Sequence, residues 1–390
     1  MSVQDAINTR EIAQKIKSVM PKIQEGFFNE RALLKLAEKR VKWGGSHTKF
    51  DWRIRYVPTD ETPTWGGGEL GIRSFEEQKV ANELELPYCY LEKTWGVGNR
   101  TIEANKNANT NKNFDAIKEN LKLAQIFMYD AYGPAIYNPN ITSEDPVGLW
   151  AAIGQAYTDT SIAIVDAGET YAGKTLNTAA STTAGDLLVR TGNATNGRGW
   201  DDAQFAPLVA DVNEMCDAAG VPSLTEWSTG CVQILDYMAN AMSMTSSISG
   251  TGSRIQPDIA LMNSDPWQAL RAKISAAQST GYQIPLGREE LVLSGFPNIV
   301  VNTLTCIKDT DVPIDTDHGG GGAIGEEIVF VLDSNQFNIC TTHTKSEGII
   351  KSEYDPDIAM VSGVVGALTA NIAFQINSPT AVGACLGCYA

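Results

Sequence analysis

Three histidines, His47, His318 and His343, are all the imidazoles the chain offers. None stands in an H-E-x-x-H, H-x-E or P-loop context, and no nucleophile sits beside a base in a known local signature. Residues that meet only in space leave no such signature, so a triad is not excluded on this ground. The acidic stretch from Asp309 and Asp311 to Glu327 is the sharpest metal candidate. Asp315, Asp317 and Gly320 fall at places one, three and six of an EF-hand loop, with Glu326 at twelve. Gly319 and Gly322 stand at places five and eight, however, and the flanks read as strands, which favours a solvated glycine-rich loop. Cys385-x-x-Cys388 is half of a zinc site or a redox pair, but no second pair at zinc spacing accompanies it. The runs Gly66–Gly68 and Gly319–Gly322 lack the following Lys-Ser/Thr of a phosphate cradle. No residue is therefore assigned a catalytic, cofactor-binding or metal-binding role, and no cofactor is expected.

Composition narrows the class. A net charge of -16 argues against a protein that grips nucleic acid, because phosphate binding needs clustered Lys and Arg. It is compatible with lying beside DNA without holding it. Hydrophobic residues at 43% are enough for real cores, and 390 residues exceed what one core usually holds, so several subdomains are expected. No apolar run approaches a membrane span, and the N-terminus MSVQDAINTREIAQ has no apolar signal region. Seven cysteines, an odd number, then read as reduced thiols in a cytosol. The N-x-T triplets at Asn99, Asn140 and Asn193 are read as chance matches.

The element around which the chain is organised is a helix from Asn111 to Tyr132. Phe114, Ile117, Leu121, Ala124, Met128 and Ala131 step by three and four along one face. Asp115, Lys118, Glu119, Lys122, Gln125 and Asp130 fill the other. Asn111 or Asn113 is placed to cap it, and Gly133-Pro134 predicts its end. Ahead of it, residues 3–40 read as helical, with an Ile12, Ile16, Val19, Ile23 stripe interrupted by Pro21. They hold too few apolar residues for a core of their own, so an arm lying on something else is expected.

Two alternating segments, Phe50-Trp52-Ile54-Tyr56 and Leu84-Leu86-Tyr88-Tyr90, predict a two-stranded ribbon, with Pro87 at an edge or bulge. Its tip lies between Pro58 and Ser74 around Trp65-Gly66-Gly67-Gly68. A lone ribbon is marginal in water, so its aromatic residues need cover from the same chain or from a neighbouring copy. Beyond the long helix, Leu149–Val165 reads as β-prone, Thr170–Trp200 as loop, and Asp202–Ala219 and Cys231–Met244 as helices. Ser246–Ser253 is a small-residue linker. Then come a strand at Pro257–Met262, a helix at Trp267–Ala277, and strands at Asn298–Ile307, Glu327–Leu332, Phe337–Thr342 and Asn371–Asn377. The class is α+β, and no internal repeat is present.

This order of elements resembles the major capsid protein of tailed double-stranded-DNA bacteriophages, the Hong Kong ninety-seven capsid fold. The resemblance covers nearly the whole chain. It rests on Trp43-Gly44-Gly45 before the ribbon, the return leg from Leu70-Gly71-Ile72 to Tyr90, and the helix ending Tyr132-Gly133-Pro134. Pro257-Asp258-Ile259-Ala260-Leu261-Met262 and Ala370-Asn371-Ile372-Ala373-Phe374 complete it. The resemblance implies an N-terminal arm at 1–41, an extended β-hairpin loop at 42–104 and a peripheral domain at 105–255 with its spine helix at 111–132. It further implies an axial domain at 256–343, with 344–390 supplying strands that return to both domains. The implied function is a structural, non-enzymatic subunit that self-assembles through pentamers and hexamers into an icosahedral or prolate head, the virion capsid, in the host bacterial cytoplasm. Implied partners are further copies of itself, portal and scaffolding proteins, decoration proteins, and packaged DNA touched non-specifically, with no membrane. Only some forty residues precede Trp43, which favours a separate scaffold over a cleaved one. The expectation drawn from it is that the aromatic-rich finger finishes its burial on another copy. Two other readings are an encapsulin-like nanocompartment shell, which uses the same fold, and a Ca²⁺-dependent acidic β-rich enzyme built on the 309–327 loop.

Overall fold

The computed structural model describes residues 19–23, 25, 27–28, 31–45, 48–55, 81–98, 110–138, 146–153, 170–172, 174–175, 208–211, 227–244, 255–278, 298–315, 326–354, 363–378, 381–386 and 388. Within these, two sheets and the helices packed on them make an α+β architecture.

The six-stranded sheet is built from β6 (Leu208–Asp211), β7 (Ile259–Met262), β8 (Asn298–Val301), β9 (Leu304–Lys308), β12 (Val329–Leu332) and β16 (Val382–Leu386), in the order β6-β16-β12-β7-β9-β8. Its central strands are apolar on both faces, as strands covered on two sides must be. Ile259, Leu261, Ile307, Phe330 and Leu332 face one core. The intervening Ala260, Met262, Cys306, Val329 and Val331 face a second. Period-two geometry assigns each side chain to its core, so the sheet is a wall between them. The second core is closed by α4 (Trp227–Met244) and α5 (Ser264–Gln278). Ile234, Leu235, Met238 and Met242 are fully buried, as the spacing predicts, and the Trp227 indole donates to the Pro266 carbonyl at 3.1 Å.

The other sheet is organised on β15 (Gly363–Ile376), a 14-residue strand. β13 (Phe337–Thr341) and β14 (Ile350–Tyr354) lie one after the other along one of its edges, and β3 (Cys89–Gly98) runs along the other. Residues 42–45 add to β13 through the Lys42–Cys340 bridge and the Gly44 and Gly45 amides. β1 (Lys49–Arg55) and β2 (Ala81–Pro87) form the ribbon, from Lys49 opposite Pro87 to Arg55 opposite Ala81. Short pairs join β4 (Thr170–Tyr171) to β5 (Lys174–Thr175) and β10 (Ile314–Asp315) to β11 (Glu326–Glu327). The long helix is α2 (Thr110–Ile136), 27 residues or about 40 Å at the helical rise. Two short helices, α1 (Ala32–Ala37) and α3 (Leu149–Ile153), complete the set. Among the described residues no helix is long and apolar enough to cross a membrane.

Several sequence expectations are corrected. Helix α2 does not stop at Gly133-Pro134: Pro134 lies inside it, and it ends only where the Tyr137 and Asn138 amides turn back to Pro134 and Ala135. A proline forfeits one amide and crowds the turn before it, which the last turn of a helix survives. The buried stripe accordingly runs through Ile117, Leu121, Ala124, Met128, Tyr132 and Ile136, while Ala131 is exposed. The start of the predicted strand at 149–165 is the helix α3, with 154–165 outside the described residues. Within the predicted helix 202–219, residues 208–211 form β6, parallel to β16. In β6 the pairing with β16 overrode the local helical periodicity. The described part of the N-terminal segment lies on the body of the chain, as expected of a segment without a core of its own: Ile23, Phe27, Leu33 and Leu34 are buried, and the Tyr129 hydroxyl donates to the Ile23 carbonyl.

Candidate assembly surface

The ribbon root is built by alternation. Leu84 and Leu86 point inward and are buried, while Phe50 and Trp52, on the partner strand, pack half-buried against the main core. The Phe50 and Trp52 rings stack at 6.0 Å, and the Trp52 indole donates to the Asn377 carbonyl at 3.2 Å. Lys42 Nζ donates to Gln375 Oε1 at 2.7 Å and lies 5.1 Å from the Phe50 ring centroid. Desolvation holds this ammonium below the ordinary lysine range. At the described root of the finger Leu84 and Leu86 are therefore covered by their own body, where cover by another copy was expected, while Phe50 and Trp52 stay half-buried and Tyr90 exposed. Residues 56–80, which include the expected tip, lie outside the described residues.

At Pro87 the alternation changes phase. Leu84 and Leu86 are buried, but beyond Pro87 it is Cys89, Trp95 and Val97 that turn inward. This is the break expected of a proline that cannot donate to a ladder. The inward residues of β3 meet α2: Lys93 Nζ sits 4.5 Å from the Phe127 ring centroid. Leu123, Ile126 and Phe127 of α2 are 51%, 52% and 49% exposed, and Tyr90, on the face of β3 turned away from α2, is 59% exposed. These four are all the exposed large apolar side chains among the described residues, and they occupy two adjacent elements. The three on α2 form one row, and a row of this kind marks an interaction surface, where scattered single residues would not.

The base of α2 is fixed by a polar clasp joining three distant segments. Arg31 pairs with Asp311. The Tyr137 hydroxyl donates to Asp309 Oδ2 at 2.8 Å, and the Asp311 amide donates to Asp309 Oδ1 at 3.0 Å. Burial raises the Asp309 carboxyl above the ordinary carboxylate range and the Tyr137 phenol well above its own. Gly133 leaves room for it: a Cβ there would fall 1.9 Å from Asp311 Oδ2 and 2.7 Å from Arg31 Nη2, so a larger residue would push the paired side chains aside. Asp309 and Asp311, read as part of a candidate cation loop, thus have a guanidinium and a phenol as partners.

With this geometry in hand, the chain can be set beside known proteins. No family model matches it, and no curated protein matches it. Its fold is similar to solved shell proteins. The capsid of a native GTA particle aligns at 10% identity and a TM-score of 0.45, over 91% of this chain and 90% of that one. The head structure of Helicobacter pylori bacteriophage KHP40 aligns at 10% and 0.45, over 91% and 88%. The holo-SrpI encapsulin complex from Synechococcus elongatus PCC 7942 aligns at 12% and 0.44, over 89% and 85%.

The other chemistry-bearing residues are dispersed. His343 Nδ1 lies 3.2 Å and 3.0 Å from the Gly348 and Ile349 carbonyls, a contact that shapes a turn. His47 and His318 lie outside the described residues, as do Asp317, Gly319, Gly320 and Gly322, and the Gly66–Gly68 run. Asp315 and Glu326 are directly opposite in the β10–β11 pair, so this candidate loop is closed by a hairpin and not by the two helices of an EF-hand. Cys385 and Cys388 are buried, and the Cys388 thiol donates to the Cys385 carbonyl at 3.4 Å. Among the described residues no cluster of three His, Cys, Asp or Glu is arranged to hold a metal. The residues sequence reasoning missed are Leu123, Ile126 and Phe127. They fall between the stripe positions, and a count of apolar residues on the polar side of the helix was the available signal.

Proposed function

We propose that this chain is a structural shell subunit, the major capsid protein of a tailed double-stranded-DNA phage, which self-assembles into an icosahedral or prolate head. The observation that carries the reading is the surface just described: one 27-residue helix lies along the edge strand of a sheet, and every exposed large apolar side chain of the described residues sits on that pair. A closed shell needs one subunit to meet copies of itself around several axes, and many weak repeated contacts then give a stable particle. On this reading 1–41 is the N-terminal arm, 42–104 the extended loop, 105–255 the peripheral domain, 256–343 the axial domain, and 344–390 the returning strands. Portal, scaffolding and decoration proteins are its further partners, assembly takes place in the host cytoplasm, and the acidic chain lies beside DNA without gripping it. The role requires no catalysis.

Electron microscopy of the purified chain, concentrated stepwise, tests this. Closed hollow particles of uniform diameter are expected. A compact monomer at every concentration, with the ribbon protected from protease, overturns the reading. Small cages that co-purify with a protein cargo point instead to a nanocompartment.

A further inference from the structure

Leu123, Ile126 and Phe127 are exposed on α2, and at about 100° per residue they span little more than a quarter of its circumference. The buried stripe of Ile117, Leu121, Ala124 and Met128 lies about half a turn round from Ile126. Phe127 borders β3, with Lys93 Nζ 4.5 Å from its ring centroid. Lys122 and Asp130 are exposed one turn to either side of Ile126. Spaced four apart, Lys122, Ile126 and Asp130 form a single ridge of the helix surface: a cation, an apolar centre and an anion.

A ridge of this composition is complementary to itself. Helices whose i±4 ridges pack together lay those ridges side by side. With a second copy antiparallel about a two-fold axis at Ile126, each Lys122 meets the partner's Asp130 and the two Ile126 side chains meet each other. Leu123 and Phe127 flank that centre and are covered with it. A parallel pair instead opposes Lys122 to Lys122 and Asp130 to Asp130, which is unfavourable. Sliding the axis one turn either way opposes two ammonium groups or two carboxylates, and an axis midway between Glu119 and Asp130 opposes those two acids. A partner carrying charge of one sign would match only one end of the ridge.

We propose that α2 is a contact between two copies of this chain, which cross antiparallel about a two-fold axis at Ile126, each Lys122 paired with the partner's Asp130. A single ridge is smaller than the roughly 800 Å² per partner of a stable interface, so the contact is weak between free subunits and gains strength by repetition. It extends the shell reading without depending on it, since a free dimer satisfies the geometry as well as a particle does.

Cysteine cross-linking of the full-length protein tests it. Ile126→Cys places two thiols opposite one another within disulfide reach, whereas two Lys118→Cys thiols stand about 24 Å apart at the helical rise. Under mild oxidation at low salt, Ile126→Cys is expected to give a reducible dimer at least about tenfold faster than Lys118→Cys, since only the former meets disulfide geometry. In the Ile126→Cys background, Lys122→Glu and Asp130→Lys each slow the reaction severalfold, and the two together restore it. Urea midpoints unchanged from the parent establish that the variants are folded. Equal rates for Ile126→Cys and Lys118→Cys, or a double charge reversal that fails to restore the rate, overturn the contact. Normal particles without an Ile126 cross-link mean that something other than a second copy covers the row; they refute this contact and leave the shell. A cross-linked dimer that forms no particle refutes only the shell.

Discussion

Replacing Tyr137 by Phe removes one oxygen from the clasp and little else. The ring stays beside Phe330, whose centroid lies 5.5 Å away, so the apolar contact survives. What is lost is the 2.8 Å bond to Asp309 Oδ2, leaving the Asp311 amide as the remaining hydrogen-bond donor seen on that carboxylate. A hydrogen bond to a buried charged group contributes roughly 1.5–3 kcal/mol, so a loss of about 2 kcal/mol is expected at neutral pH. The pH dependence makes the reasoning specific. Burial holds the Asp309 carboxyl above its ordinary value of 3.8 in the folded protein. The folded state therefore binds this proton more tightly than the unfolded chain. Its contribution to stability is complete below 3.8 and is lost as pH rises through the folded value. Tyr137 opposes that shift by stabilising the carboxylate. Its removal accordingly costs most when Asp309 is ionised and progressively less as the pH is lowered from 7 toward 4. Urea unfolding at a series of pH values, with unchanged denaturant slope, measures both effects. In an Asp309→Asn background the cost should fall to about 1 kcal/mol, the range of a neutral hydrogen bond, and become independent of pH. A cost that is flat with pH in the parent, or equal in the two backgrounds, refutes this account of the clasp.

Tyr132→Phe should leave stability unchanged or raise it by about 1 kcal/mol, because the fully buried Tyr132 hydroxyl has no hydrogen-bond partner among the described residues; urea midpoints decide. Met238→Ala, in the core between α4 and the six-stranded sheet, should cost roughly 2–5 kcal/mol by the same assay, since the site is walled by a sheet that cannot collapse. Phe127→Ser should leave the denaturation midpoint within about 0.5 kcal/mol of the parent, as an exposed substitution does, yet abolish self-association measured by sedimentation.

The parts of the fold legible in the sequence are those whose signal is local. The stripe Ile117, Leu121, Ala124, Met128 located α2, and Ile234, Leu235, Met238, Met242 located α4, because a one-sided helix writes its buried face into its spacing. Strand β15 was only half legible: Ile372, Phe374 and Ile376 stand out, yet the strand begins at Gly363, where small residues carry little β signal. β6 was hidden more deeply, since Leu208 and its neighbours fit a helical stripe and only the parallel register with β16, more than 170 residues away, makes them a strand. The clasp had no sequence signal at all: Arg31, Gly133, Tyr137 and Asp309 are ordinary residues until topology brings them within reach.

The surface shows the same limit in a sharper form. Alternation states which side of a ribbon is apolar but not which surface covers it. At the ribbon root Leu84 and Leu86 are covered by their own body, so the apolar pattern that had pointed to a neighbouring copy is already satisfied there. The demand for a neighbour moves to Leu123, Ile126 and Phe127, on the face that periodicity assigns to water. A helix with one buried stripe needs no large apolar residue outside it, and three within about one turn raise the solubility cost of a lone subunit. Beside β3 that row has a physical use only if something docks there. The departure from the amphipathic pattern, more than the pattern itself, is therefore where this sequence records association.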